Sequence, residues 1–272
     1  MIPIRVAVVS GSNQGVGFFI ALQLALSGKF GNVILGCRNE ERGLEAMQNI
    51  QSQVDPALCR LSYEPLVLGD PVSHSAFAQR MEQAFGKIDV LVNNAAMAFK
   101  GADPTPFQSQ TKPTLDVNFR GTVDFTEKML PLVRRGIDPR IVSVSSMAGR
   151  LSQVSPELQQ KFSSPDLTIP ELDNLMDSFE ADVQAGIHQQ NGWSNSNYGM
   201  SKLGVTAATR IWARENPGIA INCCCPGYCN TSMTSHRGTR DPAEGARNAC
   251  IPALIDNPPT GQFFQDFDIS EW

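Results

Sequence analysis

With 272 residues, a formal net charge of −5 and 42% apolar residues, the chain can bury one large α/β core or two smaller ones. It carries no basic surface interleaved with aromatics, which excludes a nucleic-acid binder, and its apolar content excludes a disordered chain. The apolar run after Arg5 is four residues long, too short for a signal-peptide core, and no later run reaches bilayer length. Seven cysteines, an odd count without a secretory signal, read as reduced thiols, so a soluble cytoplasmic protein without a membrane partner is expected.

The first predicted element is a strand over 4–10. Gly11, Gly15 and Gly17 follow it in G-x-x-x-G-x-G spacing. Glycines between a strand and a helix let the backbone approach a pyrophosphate at the helix N-terminus; the plain alternative is a tight turn. Phe19, Leu22 and Leu26 then mark a helix face. A second strand over 32–37 ends at Gly36-Cys37-Arg38. An acidic residue there would accept ribose hydroxyls, whereas the Arg38 guanidinium suits a phosphate, unless it is a solvated surface arginine.

A helix over 39–53 starts behind Asn39 as N-cap, and further helices are expected over 72–85 and 111–135, with strands over 88–94 and 139–146. The segment 151–195 breaks the alternation with seven acidic residues and one lysine. Ser155-Pro156 opens a short helix, and Thr168-x-x-Glu171 is a capping box ahead of Leu172, Leu175, Met176, Phe179 and Val183. That stretch reads as a helical insertion, a packing appendage rather than a ligand lid. A helix over 197–215 presents Val205, Ala208 and Trp212 on one face, and strands over 218–225 and 261–267 close the series. Alternating strands and helices imply an α/β, doubly wound parallel sheet in one domain spanning 1–272, with ligands beyond the carboxyl ends of the strands.

Tyr198 and Lys202 are spaced i,i+4 and share a helix face. An ammonium beside a phenol stabilises phenolate, which would lower the tyrosine pKa and make Tyr198 a general acid/base. The histidines, His74, His188 and His236, are scattered and form no H-E-x-x-H, so they read as surface residues and no metal site is expected. No serine sits in a G-x-S-x-G elbow.

The stretches "NNAAMAFKGADPTPF", "DVNFRGT", "VSVSSMAGR", "NYGMSK" and "PGYCNTS" together resemble the short-chain dehydrogenase/reductase family, over essentially the whole chain. "SPELQQKF", the insertion over 151–195 and the terminal "GQFFQDFDISEW" are similar to its monomeric NADPH-dependent carbonyl reductases. The resemblance implies a Rossmann-type fold and NADP(H) as cofactor. It implies Tyr198 as proton donor, Lys202 on the nicotinamide ribose and lowering the tyrosine pKa, Ser146 on the substrate carbonyl, and Asn118 supporting a relay water. It also implies cofactor contacts from Gly11, Asn13, Gly15, Val16, Gly17, Arg38, Asn94, Tyr198, Lys202, Pro226, Gly227 and Thr231.

Some positions depart from the family pattern. Asn93-Asn94-Ala95-Ala96 replaces N-N-A-G, so a methyl group could shift the backbone by the cofactor. Gln14 stands where a lysine is common, leaving Arg38, with Asn13 and Arg42, to select NADP. The adenine contact falls to Val67 or to Asp70. The expected reaction reduces ketones, aldehydes or quinones, a small-molecule carbonyl substrate lying in an apolar mouth shaped by Met147, Tyr228 and Met233. A narrower alcohol, ketosteroid or prostaglandin dehydrogenase is the alternative, and a non-catalytic dinucleotide-binding redox sensor the rival from another class.

In "AINCCCPGYCNTS", alternation along a strand puts Cys223 and Cys225 on one face and Cys224 on the other, too divergent for one metal. Cys223 and Cys224 read as core. The resemblance makes Cys225 the accessible thiol, near a surface that could contact glutathione, and the insertion implies a monomer.

Overall fold

The computed structural model describes residues 5–272. Eight strands form one sheet: β1 (Val6–Ser10), β2 (Asn32–Cys37), β3 (Arg60–Pro65), β4 (Val90–Asn93), β5 (Arg140–Val144), β6 (Ala220–Cys224), β7 (Phe263–Gln265) and β8 (Asp268–Ser270). Their order is β3-β2-β1-β4-β5-β6-β7-β8, parallel throughout except for the terminal β7–β8 pair. The expected strand over 261–267 is thus a short hairpin, with Asp266 and Phe267 at positive φ in its turn. Ile4, placed in the first strand by the sequence reading, lies outside the described residues.

Alternation along the strands splits the core into two layers. Val6 and Val8 face one side with Ile34, Leu91 and Ile141, while Ala7 and Val9 face the other with Val33, Leu35, Val92 and Val142. The second layer is covered by α1 (Gly15–Leu26), α2 (Glu40–Gln51) and α9 (Pro242–Leu254). The first is covered by α3 (Pro71–Phe85), α4 (Phe107–Leu115), α5 (Gly121–Val133), the short α6 (Pro156–Phe162), α7 (Ile169–Gln184) and α8 (Asn197–Glu215).

The sequence spacing locates α2, α3 and α8 closely, with Asn39 capping α2 and Asp70 capping α3. The helix expected over 111–135 starts earlier, at Phe107, and is interrupted by a π-helical turn over Asp116–Arg120. The insertion forms as expected: Ser155 caps α6, Thr168 and Glu171 make the capping box of α7, and Leu172, Met176, Phe179 and Val183 are buried. Its acidic face is held by Arg120, whose guanidinium reaches Asp116 at 2.7 Å, Asp177 at 2.6 Å and Glu180 at 2.9 Å, with Asp173 at 3.7 Å.

Two of the three histidines are not surface residues. His74 is fully buried against Asp124 and Phe125, and His188 is buried between Phe107 and Phe179 with Nε2 3.0 Å from Asn195 Oδ1. His74 is paired on both ring nitrogens and His188 on Nε2 alone, which offsets the cost of burying an imidazole fully in the first case and in part in the second. His236 is exposed. Among the described residues no helix is long and apolar enough to cross a membrane.

Candidate active site

The chain passes from edge strand β3 to β4 beside β1, so connections leave β1 and β4 in opposite directions and open a cleft at their carboxyl ends. Gly11, Asn13, Gln14, Gly15, Val16 and Gly17 form its floor, with Cys37 and Arg38 from the end of β2 and Leu66, Val67 and Leu68 beyond β3 at one end. Val144, Ser145, Tyr198 and Lys202 close the other end, and Pro226, Thr231, Ser232 and Met233 cover it.

The floor is locked from below. Ser10 Oγ accepts the N–H groups of Asn94 and Ala95, each at 3.0 Å, and Asn94 Nδ2 donates to the carbonyls of Ser10 (2.9 Å) and Gly11 (3.1 Å). Asn94 lines the cleft as expected, but its amide nitrogen is spent on holding the glycine turn. A Cβ at Gly17 would fall 2.4 Å from both Asn94 Nδ2 and the Gly11 carbonyl, so only glycine lets α1 start this close to the turn. Gln14 precedes the helix without a side-chain cap, leaving the first N–H groups of α1 at the cleft floor. An uncapped helix start, a glycine-rich floor and an arginine at the end of β2 fit a phosphate-bearing dinucleotide. Ala95 and Ala96 both line the cleft, so the extra methyl group is accommodated there. Val67 lines it too, whereas Asp70 accepts from Val72 N–H as the cap of α3. Arg42 is not part of the lining.

At the far end, Tyr198 and Lys202 occupy the first turns of α8. Lys202 is almost fully buried and its Nζ donates to the Val144 carbonyl at 2.7 Å, 5.7 Å from the Tyr198 ring centroid. Burial pushes the Tyr198 phenol up to about 12, assisted by Cys225 and opposed by a hydrogen bond from Ser146. Burial brings Lys202 down to about 8, against the pull of Cys224 and Cys225. The expected depression of the tyrosine pKa by the lysine is therefore reversed in this fold. Desolvation is the largest influence on the phenol, and the ammonium is itself destabilised by burial and anchored on a backbone carbonyl.

Ser146 is not part of the cleft lining. It is half-buried, capping a 3-10 turn over Met147–Gly149 and hydrogen-bonding toward Tyr198. Ser145, its neighbour in the S-S pair, does line the cleft, and its Oγ reaches the Lys202 carbonyl (3.0 Å) and Thr206 (2.6 Å), fixing β5 to α8. Asn118 lies in the π-helical turn, buried behind the cleft. Its side chain accepts from Met97 N–H and donates to the Met97 carbonyl, both at 2.8 Å, and reaches Ser201 at 3.1 Å. Its amide thus braces the cleft wall at Met97 against α8.

Beyond β6, Pro226 and Thr231 line the cleft but Gly227 does not: at φ +82 it turns the chain toward Arg240. Cys223 and Cys225 pack with Phe263 on one side of the sheet and Cys224 with Cys250 and Phe264 on the other, as alternation requires. Cys225 is not an accessible thiol. It is 5% exposed, packs against Met147 and Trp272, and its Sγ accepts the Gly227 N–H at 3.3 Å. Of the residues expected to shape the mouth, Met233 lines the cleft and is exposed, whereas the exposed Tyr228 and the half-buried Met147 are not part of the lining.

The model of the short chain dehydrogenase family matches residues 5–156. Carbonyl reductase (NADPH) 1 of Rattus norvegicus is 40% identical over 280 aligned positions, covering 98% of each chain. The Homo sapiens protein of the same name is 39% identical, with 99% of each chain covered. Among solved structures, salutaridine reductase from Papaver somniferum superimposes with a TM-score of 0.87 at 28% identity, covering 96% of this chain and 99% of its own. Menthone neomenthol reductase from Mentha piperita superimposes at 0.82 with 29% identity, covering 96% of this chain and 98% of its own.

Proposed function

Since the chain belongs to the short chain dehydrogenase family, we propose that it is an NADPH-dependent carbonyl reductase. The observation that carries the reading is the cleft itself, with a glycine floor, helix start and Arg38 at one end and Tyr198 and Lys202 at the other, Ser146 standing next to Tyr198 outside the lining. The relatives named for NADPH-dependent carbonyl reduction extend over the whole chain. NADP(H) would be held by the floor residues Gly11, Asn13, Gly15, Val16 and Gly17, by Arg38 on its phosphate, and by Lys202, Pro226 and Thr231. When bound, it supplies hydride to the carbonyl carbon.

The protein's own part is proton delivery. Tyr198 donates its phenolic proton to the carbonyl oxygen, which Ser146 also hydrogen-bonds. A phenol pushed up to about 12 stays protonated at neutral pH, and the alkoxide forming on the substrate is far more basic than phenolate. Burial therefore keeps the phenol in the protonated form that a proton donor needs. Lys202 and the Asn118 turn return the proton from solvent.

The finer parts of the reading are a cytoplasmic monomer, supported by α7 packing against α4 and α8, and a glutathione contact at the mouth near the buried Cys225. Light scattering tests the first: a mass near twice 29.6 kDa refutes it. Calorimetric titration with glutathione tests the second: an absence of binding heat refutes it. The function is tested by a panel of quinones, aromatic ketones and aldehydes with NADPH and NADH in parallel. Consumption of NADPH well above NADH supports it, and binding of NADPH with no consumption across the panel favours a non-catalytic dinucleotide sensor.

A further inference from the structure

The loop between β3 and α3 walls one end of the cleft through three consecutive residues, Leu66, Val67 and Leu68. Backbone N–H groups on both sides of Leu68 are tied to the first turn of α3. Val67 donates to Ser73 Oγ at 2.9 Å, and Gly69 donates to His74 Nε2 at 3.2 Å. His74 is fully buried, with its ring beside Phe125, which packs edge-on against Phe77.

The other ring nitrogen, Nδ1, lies 2.6 Å from Asp124 Oδ2 on α5, and Asp124 also pairs with Lys128. An ionised carboxylate only accepts, so Nδ1 carries the proton and Nε2 offers its lone pair to Gly69. Asp124 therefore sets the tautomer that makes the tether. Asp70, the remaining charged group at this turn, is spent on capping α3.

Gly69 has little room inward. At φ +94, a Cβ on it would fall 3.3 Å from Val117 Cγ2 and 3.5 Å from the Asp116 carbonyl of the π-helical turn, and a Cβ on Gly121 would fall 2.7 Å from its nitrogen. Motion of the loop away from the cleft is opposed by the Ser73 and His74 tethers.

We infer that His74 is a positioning residue for the dinucleotide, holding the wall at Leu66–Leu68 through the Gly69 N–H. The inference rests on the cleft being an NADPH site, and the experiment separates the two. NADPH affinity is measured by fluorescence titration, and turnover at saturating NADPH, for the wild type, His74→Asn and His74→Gln. Asparagine keeps a donor near the Nδ1 position for Asp124 but places nothing at Nε2, whereas glutamine extends an acceptor toward Gly69.

His74→Asn raises the NADPH Kd about tenfold, the scale of one broken buried hydrogen bond, with turnover at saturation unchanged. His74→Gln restores most of the affinity. Wild-type affinity in the asparagine variant, a glutamine variant no better than asparagine, or a fall in turnover with affinity unchanged overturns the inference. A wild type that binds no NADPH overturns the cofactor reading and this inference with it. If the asparagine variant does not fold, amide exchange in the wild type without nucleotide decides. Protection of the Gly69 N–H matching the α3 amides supports the tether, and exchange at an unprotected rate overturns it.

Discussion

Gly149 offers a direct test of how the catalytic end is assembled. It closes the 3-10 turn over Met147–Gly149, which packs on α8. A Cβ at this position would lie 2.6 Å from the Leu203 nitrogen and from the Lys202 carbonyl carbon, and 2.8 Å from Lys202 Cβ. Two of those atoms are backbone of a helix buried along nearly its whole length, which has no room to retreat. In Gly149→Ala the turn must therefore withdraw by about 1 Å to regain ordinary carbon contact. Ser146 moves with it, because its Oγ accepts the Ala148 N–H at 3.1 Å within the same turn. A displacement of about 1 Å in a positioning group costs about 100-fold in rate, and overpacking of this kind costs about 1–3 kcal/mol of stability. The glycine floor is untouched. Steady-state kinetics should show kcat falling about 100-fold while the NADPH Kd stays within about threefold. Thermal melts confirm that the variant is folded under the assay conditions. A folded Gly149→Ala enzyme with kcat within about threefold of wild type would refute the reasoning, because the turn would then absorb a methyl group without moving Ser146.

Other outcomes follow from the same geometry. Tyr198→Phe should abolish turnover nearly completely and leave NADPH affinity unchanged; a purified variant that keeps most of its activity sinks the proton-donor assignment. Arg120→Met should cost about 1–2 kcal/mol in urea unfolding at pH 7, because it leaves Asp173, Asp177 and Glu180 facing one another without their cation. Burial works against Asp116, but its hydrogen bonds to Lys112 and Arg120 hold its carboxyl below the usual range, so the stability it contributes is present at neutral pH and lost as pH falls. The Arg120→Met deficit should accordingly shrink toward pH 4, and a deficit independent of pH and salt would count against the ion-pair account. Burial pushes Cys223 and Cys250 up to about 12 and Cys224 well above its ordinary value. These thiols stay protonated in the fold while unfolded thiols ionise near 9, so their contribution is complete below pH 9 and fades as pH rises toward 12. Each removes about 1.4 kcal/mol per pH unit across that window, and Lys202, brought down to about 8, opposes them by one proton up to its ordinary 10.5. Unfolding free energies that stay flat from pH 8.5 to pH 10.5 would contradict the enclosed-thiol picture.

Local chemistry made much of the molecule readable from sequence, and distant pairing hid the rest. The central strands are short β-branched runs because both sheet faces are covered, and α8 is bounded by a Ser196 cap and a run of small and apolar residues. Edge strand β3, half-exposed along its length, carries no such run, and α9 packs its alanines on α1 with little periodic signal. The π-helical turn hides for a different reason: one extra residue in a helical turn leaves the surrounding pattern intact. The site divides the same way. Tyr198 and Lys202 are linked by helical spacing and the glycine turn by its place between strand and helix, so both are legible. The work of Asn94, Asn118 and His74 is not, since their partners Ser10, Met97 and Asp124 lie 84, 21 and 50 residues away. Spacing can say that a polar residue belongs to a motif. Whether its side chain faces the cleft or braces the wall behind it depends on which backbone groups the fold leaves unpaired, and an amide or imidazole brought beside such groups is committed to them first.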